Sequence, residues 1–257
     1  MRGILALAVA AALCAGAWAE EGQEELPETK RVLGLHIPAT WDGSLELGYS
    51  ASRGNTRSDD LRFAALARQE SERRRTSLDS AFDWSTSKGD TSEHKFTAGA
   101  LRDWLVPSQQ YFYFAEGRYD WDRFQDWDYR FSGRVGMGYD FFRTEELRLT
   151  GRAGIGATEG VNDGRSWDLE GSVGADGRWR PRDGIELGAD STFYAALNNT
   201  RFADPFRVVS AAYCLLRSAA YEQISIRLFT EHEYRSRVGE DTKKNDVRWG
   251  ATVVYSF

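Results

Sequence analysis

From about residue 41 to the carboxyl terminus, apolar and polar residues alternate with a period of two, as they do on strands with two unlike faces. In the last stretch Val247, Trp249, Ala251, Val253, Tyr255 and Phe257 form a wholly apolar face. Asp246, Arg248, Gly250, Thr252 and Ser256 form a mostly polar one. The pattern recurs upstream: Tyr129, Phe131, Val135, Met137, Tyr139 and Phe141 alternate with Asp128, Arg130, Ser132, Arg134 and Asp140. Trp167, Leu169, Val173 and Trp179 are set against Asp168, Glu170, Ser172, Asp176 and Arg178. The alternation predicts twelve strands, approximately 44–52, 58–69, 76–87, 94–105, 110–123, 127–142, 147–158, 166–179, 185–198, 207–217, 224–235 and 246–257. Turn formers punctuate the links, among them Arg53-Gly54-Asn55-Thr56, Lys88-Gly89-Asp90, Val106-Pro107-Ser108, Asn162-Asp163-Gly164, Pro181-Arg182-Asp183-Gly184 and Val238-Gly239-Glu240-Asp241.

Each predicted strand is long enough to cross a bilayer at a tilt. After the first nineteen residues, no run approaches the roughly 18 consecutive apolar residues of a spanning helix. Closed barrels are the other structures that satisfy every backbone polar group in lipid. The fold class expected is therefore all-β: a transmembrane antiparallel up-and-down barrel of about twelve strands, both termini periplasmic because the count is even. Loop lengths fit that parity, with 159–165, 199–206 and 236–245 outside and the shorter 106–109, 143–146 and 180–184 on the periplasmic side.

The amino-terminal end adds an address. Met1-Arg2 is a short basic start, Ile4 to Ala17 an Ala/Leu-rich core and Ala17-Trp18-Ala19 a small-x-small cleavage site, so residues 1–19 read as a secretory signal. Residues 20–40, with Glu20, Glu21, Glu24, Glu25, Glu28, Pro27 and Pro38, read as an acidic, flexible periplasmic leader, and 41–257 as the barrel domain. Cys14 follows Leu13 rather than a small residue, which argues against a lipid anchor. Cys214, alone in the mature chain, has no partner for an internal disulfide. Loss of Arg2 with the signal takes the formal charge from −6 to −7, and that acidity argues against a nucleic-acid partner.

A charge at the hydrocarbon midplane would cost about 2–4 kcal/mol, so the charged faces must line the lumen or lie at the rims. Glu116, Arg118, Arg130, Arg134, Arg152, Asp168, Glu170, Arg227 and Glu231 are the expected lumen-lining residues. Gly136, Gly138, Gly154, Gly156 and Gly174 share that face and either leave space or ease curvature. Asp120, Asp122, Asp126 and Asp128, interleaved with Trp121, Phe124 and Trp127, suggest either a divalent-cation or lipopolysaccharide site, or a hairpin whose carboxylates pair with Arg118, Arg123 and Arg130. The second reading is preferred, because metal loops show closer ligand spacing, and no metal ligand is assigned. Arg73-Arg74-Arg75, the one basic run, reads as a solvated periplasmic turn.

Catalytic readings are weaker. His36, His94 and His232 lie in no zinc-type spacing, and alternation turns Glu231 and Glu233 away from His232. Ser92 and His94 share a face where the strand extends that far, as a barrel-embedded hydrolase would ask, but serine is common and one histidine is a poor warrant. The chain is read as a non-enzyme without a cofactor.

The terminal strand ending on Phe257, with Gly250, Val253 and Tyr255, resembles the carboxyl-terminal assembly signal of bacterial outer-membrane barrels, which implies the barrel-assembly machinery as a partner. The runs Gly43-Ser44-Leu45-Glu46-Leu47-Gly48-Tyr49-Ser50-Ala51-Ser52-Arg53-Gly54-Asn55-Thr56, Asp122-Arg123-Phe124-Gln125-Asp126-Trp127-Asp128-Tyr129-Arg130 and Gly133-Arg134-Val135-Gly136-Met137-Gly138-Tyr139 resemble the YdiY-like proteins, described as salt-induced outer-membrane proteins, of the domain of unknown function DUF481. The resemblance implies an outer-membrane barrel in a Gram-negative envelope, in contact with lipid and lipopolysaccharide, and implies no established activity. Two roles remain open. One is a narrow, porin-like passive channel for small polar or charged solutes under salt or osmotic stress. The other is a closed structural barrel whose charges pair across the lumen.

Overall fold

The computed structural model describes residues 28–32, 35–53, 58–87, 90–123, 129–161, 168–197, 205–238 and 243–257. The expected signal at 1–19, the turn residues 54–56, 88–89, 162–164 and 239–241, and Asp126 and Asp128 lie outside them. Fourteen strands are formed among the described residues: β1 (Thr29–Val32), β2 (Leu35–Pro38), β3 (Trp41–Arg53), β4 (Ser58–Glu70), β5 (Arg74–Ser87), β6 (Asp90–Leu105), β7 (Tyr111–Asp122), β8 (Tyr129–Arg143), β9 (Leu147–Val161), β10 (Asp168–Arg182), β11 (Ile185–Ala196), β12 (Phe206–Arg217), β13 (Ile224–Arg235) and β14 (Asn245–Ser256).

Strands β3 to β14 close into a twelve-stranded barrel in which every strand pairs antiparallel with its chain neighbours. The seam is β14 on β3, in register from Val247 opposite Arg53 to Ser256 opposite Ser44. All twelve strands read from the alternation are present; the largest boundary shift is at β6, expected at 94 and beginning at Asp90. The acidic segment ahead of them holds a hairpin that its composition did not foretell. There β1 pairs with β2, from Thr29 opposite Pro38 to Val32 opposite Leu35.

Both ends of the barrel chain, Trp41 and Phe257, lie at one mouth, here termed proximal. The proximal links are short and locally satisfied. Thr144 Oγ1 accepts from the Leu147 backbone N–H at 2.9 Å, and the Ser218 hydroxyl accepts from Ala220 and Tyr221. Gly184 adopts a φ of 79° in the two-residue turn between β10 and β11, which a residue with a Cβ would enter at a cost. Of the distal links, those at 54–57 and 88–89 are short, and those at 123–128, 162–167, 197–205 and 236–244 are longer.

Burial is inverted relative to a soluble protein. Val135, Ile155, Val173 and Val253 are 53–62% exposed, whereas Asp83, Asp103, Thr150 and Thr252 are at most 2% exposed. The apolar faces look outward and the polar faces inward. Aromatic clusters band the outer surface near both mouths: Tyr119, Tyr129 and Phe131, with Phe193, Phe206 and Tyr234, at the distal end, and Tyr139 with Phe141 at the proximal end. Such girdles suit rings that prefer the boundary between hydrocarbon and water. Arg102 belongs to the outward set, three residues from the proximal end of β6. Its guanidinium carbon is 5.8 Å from the Trp104 ring centroid and the residue is largely buried, so the charge is held against the girdle.

Candidate functional site: the barrel interior

A twelve-stranded barrel is wider than the eight-stranded ones that side chains fill and narrower than the porins that leave a broad channel. The long charged and aromatic side chains on its inner face therefore decide how much space remains. Many of their contacts join strands that are not neighbours, which only an inward-facing set can do.

On the β5–β9 wall the interior is packed. Asp103 on β6 accepts from Arg75 Nε of β5 at 3.1 Å and from Arg152 Nη2 of β9 at 2.9 Å. Arg75 also donates to Asp140 on β8 at 2.9 Å, and Thr150 Oγ1 hydrogen-bonds to the same carboxylate at 3.0 Å. Arg152 reaches further, to Asp176 on β10. Beneath this network Phe112 is completely buried, with the Arg75 and Arg152 guanidinium carbons 4.6 and 5.2 Å from its ring centroid. Gly138 provides its bed: a Cβ there would stand 2.2 Å from the Phe112 ring. Phe114 lies in the same way over Gly136 and Gly154. The glycines of β8 and β9 do open space, and two aromatic rings occupy it.

Halfway along the barrel Arg134 pairs with Glu116 and donates to Ser172 Oγ at 3.3 Å, between the rings of Phe114 and Tyr194 at 5.5 and 5.4 Å. Arg207 also lies over the Tyr194 ring, at 4.0 Å from its centroid, and donates to Glu170 at 3.0 Å. On the seam side, Asp83 accepts from Arg62 at 3.2 Å and Arg248 at 2.8 Å, and Arg62 also reaches Glu231 at 3.2 Å. Glu46 holds Arg227 at 2.5 Å and Thr252 at 3.2 Å.

The residues singled out from sequence fall into this scheme unevenly. Glu116 with Arg134, Arg118 with Asp120 at 3.0 Å, and Arg152 are parts of the interior network. Arg130 is the register partner of Asp120 and lies in the field of Glu233, Arg207 and Arg235. Asp168 is exposed at the distal end of β10. Glu170, Glu231 and Arg227 take Arg207, Arg62 and Glu46 as partners, none of which the alternation singled out. The basic run is not uniformly a solvated turn. Arg75 is a buried interior residue, because β5 begins at Arg74 and alternation then turns Arg75 inward to Asp103 and Asp140. Also missed were Phe112, Phe114, Tyr194 and Tyr213. Their signal was present, since each is an aromatic on the polar face of its strand.

The Ser92 side chain lies outside the described ones, and among the described side chains those weighed for catalysis do not converge. His94 lies on the outer face near the Phe82 and Trp84 rings, and His232 Nε2 hydrogen-bonds Asn245 Oδ1 at 2.9 Å, away from Glu231 and Glu233. At the seam, Gly43 and Phe257 exchange two backbone hydrogen bonds of 3.1 and 2.9 Å. This fixes the terminal strand that carries Gly250, Val253 and Tyr255.

Beside the packed wall, from β10 to β13, a row of inner-face carboxylates is exposed. Asp176, Asp190, Ala211 and Glu231 lie side by side across β10, β11, β12 and β13 in successive register. The Asp176 and Glu231 side chains are 44% and 40% exposed, and Asp190 is exposed as well. All three are well inside their strands, so the solvent that reaches them is inside the barrel.

The fold is shared with solved outer-membrane barrels. The NanC porin aligns with a TM-score of 0.56 at 11% identity, over 83% of this chain and 100% of that one. The COG4313 outer membrane channel from Pseudomonas putida F1 aligns with a TM-score of 0.51 at 11% identity, over 91% and 100%. No curated protein matches the chain. The profile of the protein family of unknown function DUF481 matches residues 45–257, nearly the whole barrel from β3 to the carboxyl terminus. With its twelve strands, inverted burial and charged interior, the chain is a member of the DUF481 family.

Proposed function

We propose that the protein is a narrow passive channel for small polar or charged solutes in a Gram-negative outer membrane, with its proximal mouth in the periplasm. The observation that carries this reading is the solvent-exposed row Asp176, Asp190 and Glu231, well inside β10, β11 and β13, where a filled barrel would have buried it. The passage runs along the β10–β13 wall, because Phe112, Phe114 and the arginines stacked on them occupy the other side. The two longest links, 197–205 and 236–244, are both distal, and this supports the orientation. Export through residues 1–19, contact with lipid and lipopolysaccharide, and recognition of β14 by the assembly machinery complete this reading. Use under osmotic or ionic stress, suggested by the resemblance to salt-induced proteins, is part of the same proposal.

A second reading has its own support: Asp83, Asp103 and Asp140 are buried in multiple ion pairs that cross the interior, as a closed structural barrel would require. Liposome swelling separates the two. Refolded protein in vesicles loaded with an impermeant polymer should admit small sugars and amino acids at a rate that falls steeply with solute size. Vesicles as tight as protein-free ones would favour the structural barrel.

A further inference from the structure

Just inside the proximal mouth, arginines outnumber carboxylates. Arg68 of β4, Arg143 of β8, Arg148 of β9, and Arg178 and Arg180 of β10 share this space with Glu70 and Glu186. Asp42 of β3 lies opposite Arg68 in register and pairs with Lys30 at 3.4 Å, and Asp79, deeper on β5, is within electrostatic reach of Arg68. Glu70 is shared by Arg143 at 2.8 Å and Arg148 at 3.0 Å, across four and five strands of the barrel. Glu186 accepts from Arg180 and from the Tyr213 hydroxyl, both at 2.8 Å. These contacts use up the two carboxylates and leave guanidinium groups over. Arg178 comes no nearer than 4.0 Å to Glu186, and its other charged neighbours are Arg180, Arg148 and Arg68. Arg68 is exposed and, among the described residues, has no carboxylate within ion-pair distance.

Like charges gathered in a confined space of reduced dielectric repel one another, and an anion with several acceptor oxygens relieves that repulsion while accepting forked hydrogen bonds. We propose that the proximal mouth is a binding site for solutes carrying two or more phosphate or carboxylate groups, with Arg68 and Arg178 as its principal contacts. It thereby gives the passage a substrate class. The acidic row beyond it would weaken the hold on such a solute, so that capture at the mouth is followed by release rather than by a deep trap. The proposal rests on the channel reading for its purpose and on the mouth alone for its binding.

Calorimetric titration of inorganic tripolyphosphate, and separately of citrate, into the refolded protein in detergent micelles tests it. The parent should show saturable binding that weakens with added salt. The phosphate and carboxylate probes together tell which group the mouth prefers. Arg68→Gln with Arg178→Gln should weaken that binding at least tenfold while leaving the heat-modifiable barrel band in place. Arg235→Gln, at the distal mouth, should change it less than twofold. No saturable heat in the parent for either probe, or equal affinity in the parent and the doubly substituted protein, overturns the proposal. Retained binding in a protein whose vesicles admit no solute would leave the site standing and remove the channel.

Discussion

Asp103 is the carboxylate on which the packed half of the interior turns, and its replacement by Asn measures how dry that half is. Its side chain is 3% exposed and accepts from two guanidinium groups, Arg75 at 3.1 Å and Arg152 at 2.9 Å. Removing one member of a buried ion pair typically costs about 3–5 kcal/mol. Arg75 would keep Asp140 and Arg152 would keep Asp176, so the lower end, about 3 kcal/mol, is expected for Asp103→Asn. Asp176 takes part in the same chain of charges, but it is 44% exposed on the open wall. An exposed pair contributes about 1 kcal/mol or less, so Asp176→Asn should cost no more than that. The difference of about 2 kcal/mol is roughly a thirtyfold change in the folding equilibrium, resolvable by urea titration of the refolded barrel followed by tryptophan fluorescence. Equal losses for the two substitutions would refute the division of the interior into a packed wall and a wet one.

Three further outcomes follow from the same geometry. Gly138→Ala places a methyl 2.2 Å from the Phe112 ring and should lower stability by about 1–3 kcal/mol, whereas Gly133→Ala, which meets nothing within 4 Å, should stay within about 0.5 kcal/mol in the same titration. Val135→Arg, on the outer face at 55% exposure, should cost about 2–4 kcal/mol in lipid vesicles, and Ser132→Arg on the inner face much less; equal yields of folded barrel would show that the faces are misassigned. Deleting Phe257 removes both of its hydrogen bonds to Gly43 at the seam and should leave unassembled chain in the periplasm, read as loss of the heat-modifiable band from outer-membrane fractions.

The barrel was legible because lipid enforces alternation more strictly than a soluble core does. A charge on the outer face of β8 or β14 is costly, so each strand shows its period and the strand count follows. Inward or outward facing was legible for the same reason, which is why Glu116, Arg134 and Arg152 could be placed on the inner face. Their partners were another matter. Arg227 meets Glu46 from the far end of the sequence, and Arg62 meets Glu231, because closure through β14 and β3 brings together strands whose separation in sequence carries no distance information. Glycine was ambiguous on its own terms. Gly138 and Gly154 read as open lumen or as curvature, and what decides is that Phe112, the register partner of Gly138 on β7, and Phe114, two strands from Gly154, lie over them. Aromatics on a polar face, such as Tyr194 and Tyr213, are the signal that arginines will stack inside.

In the proposed channel, water passes along the β10–β13 wall beside a plug of stacked rings and arginines. Conductance of the refolded protein in a planar bilayer tests it most directly, with Phe112→Ala measured beside the parent. The parent should give small discrete current steps, and removal of the Phe112 ring larger steps of the same kind. Current at the protein-free background for both proteins, with both inserted as folded barrels, would contradict it.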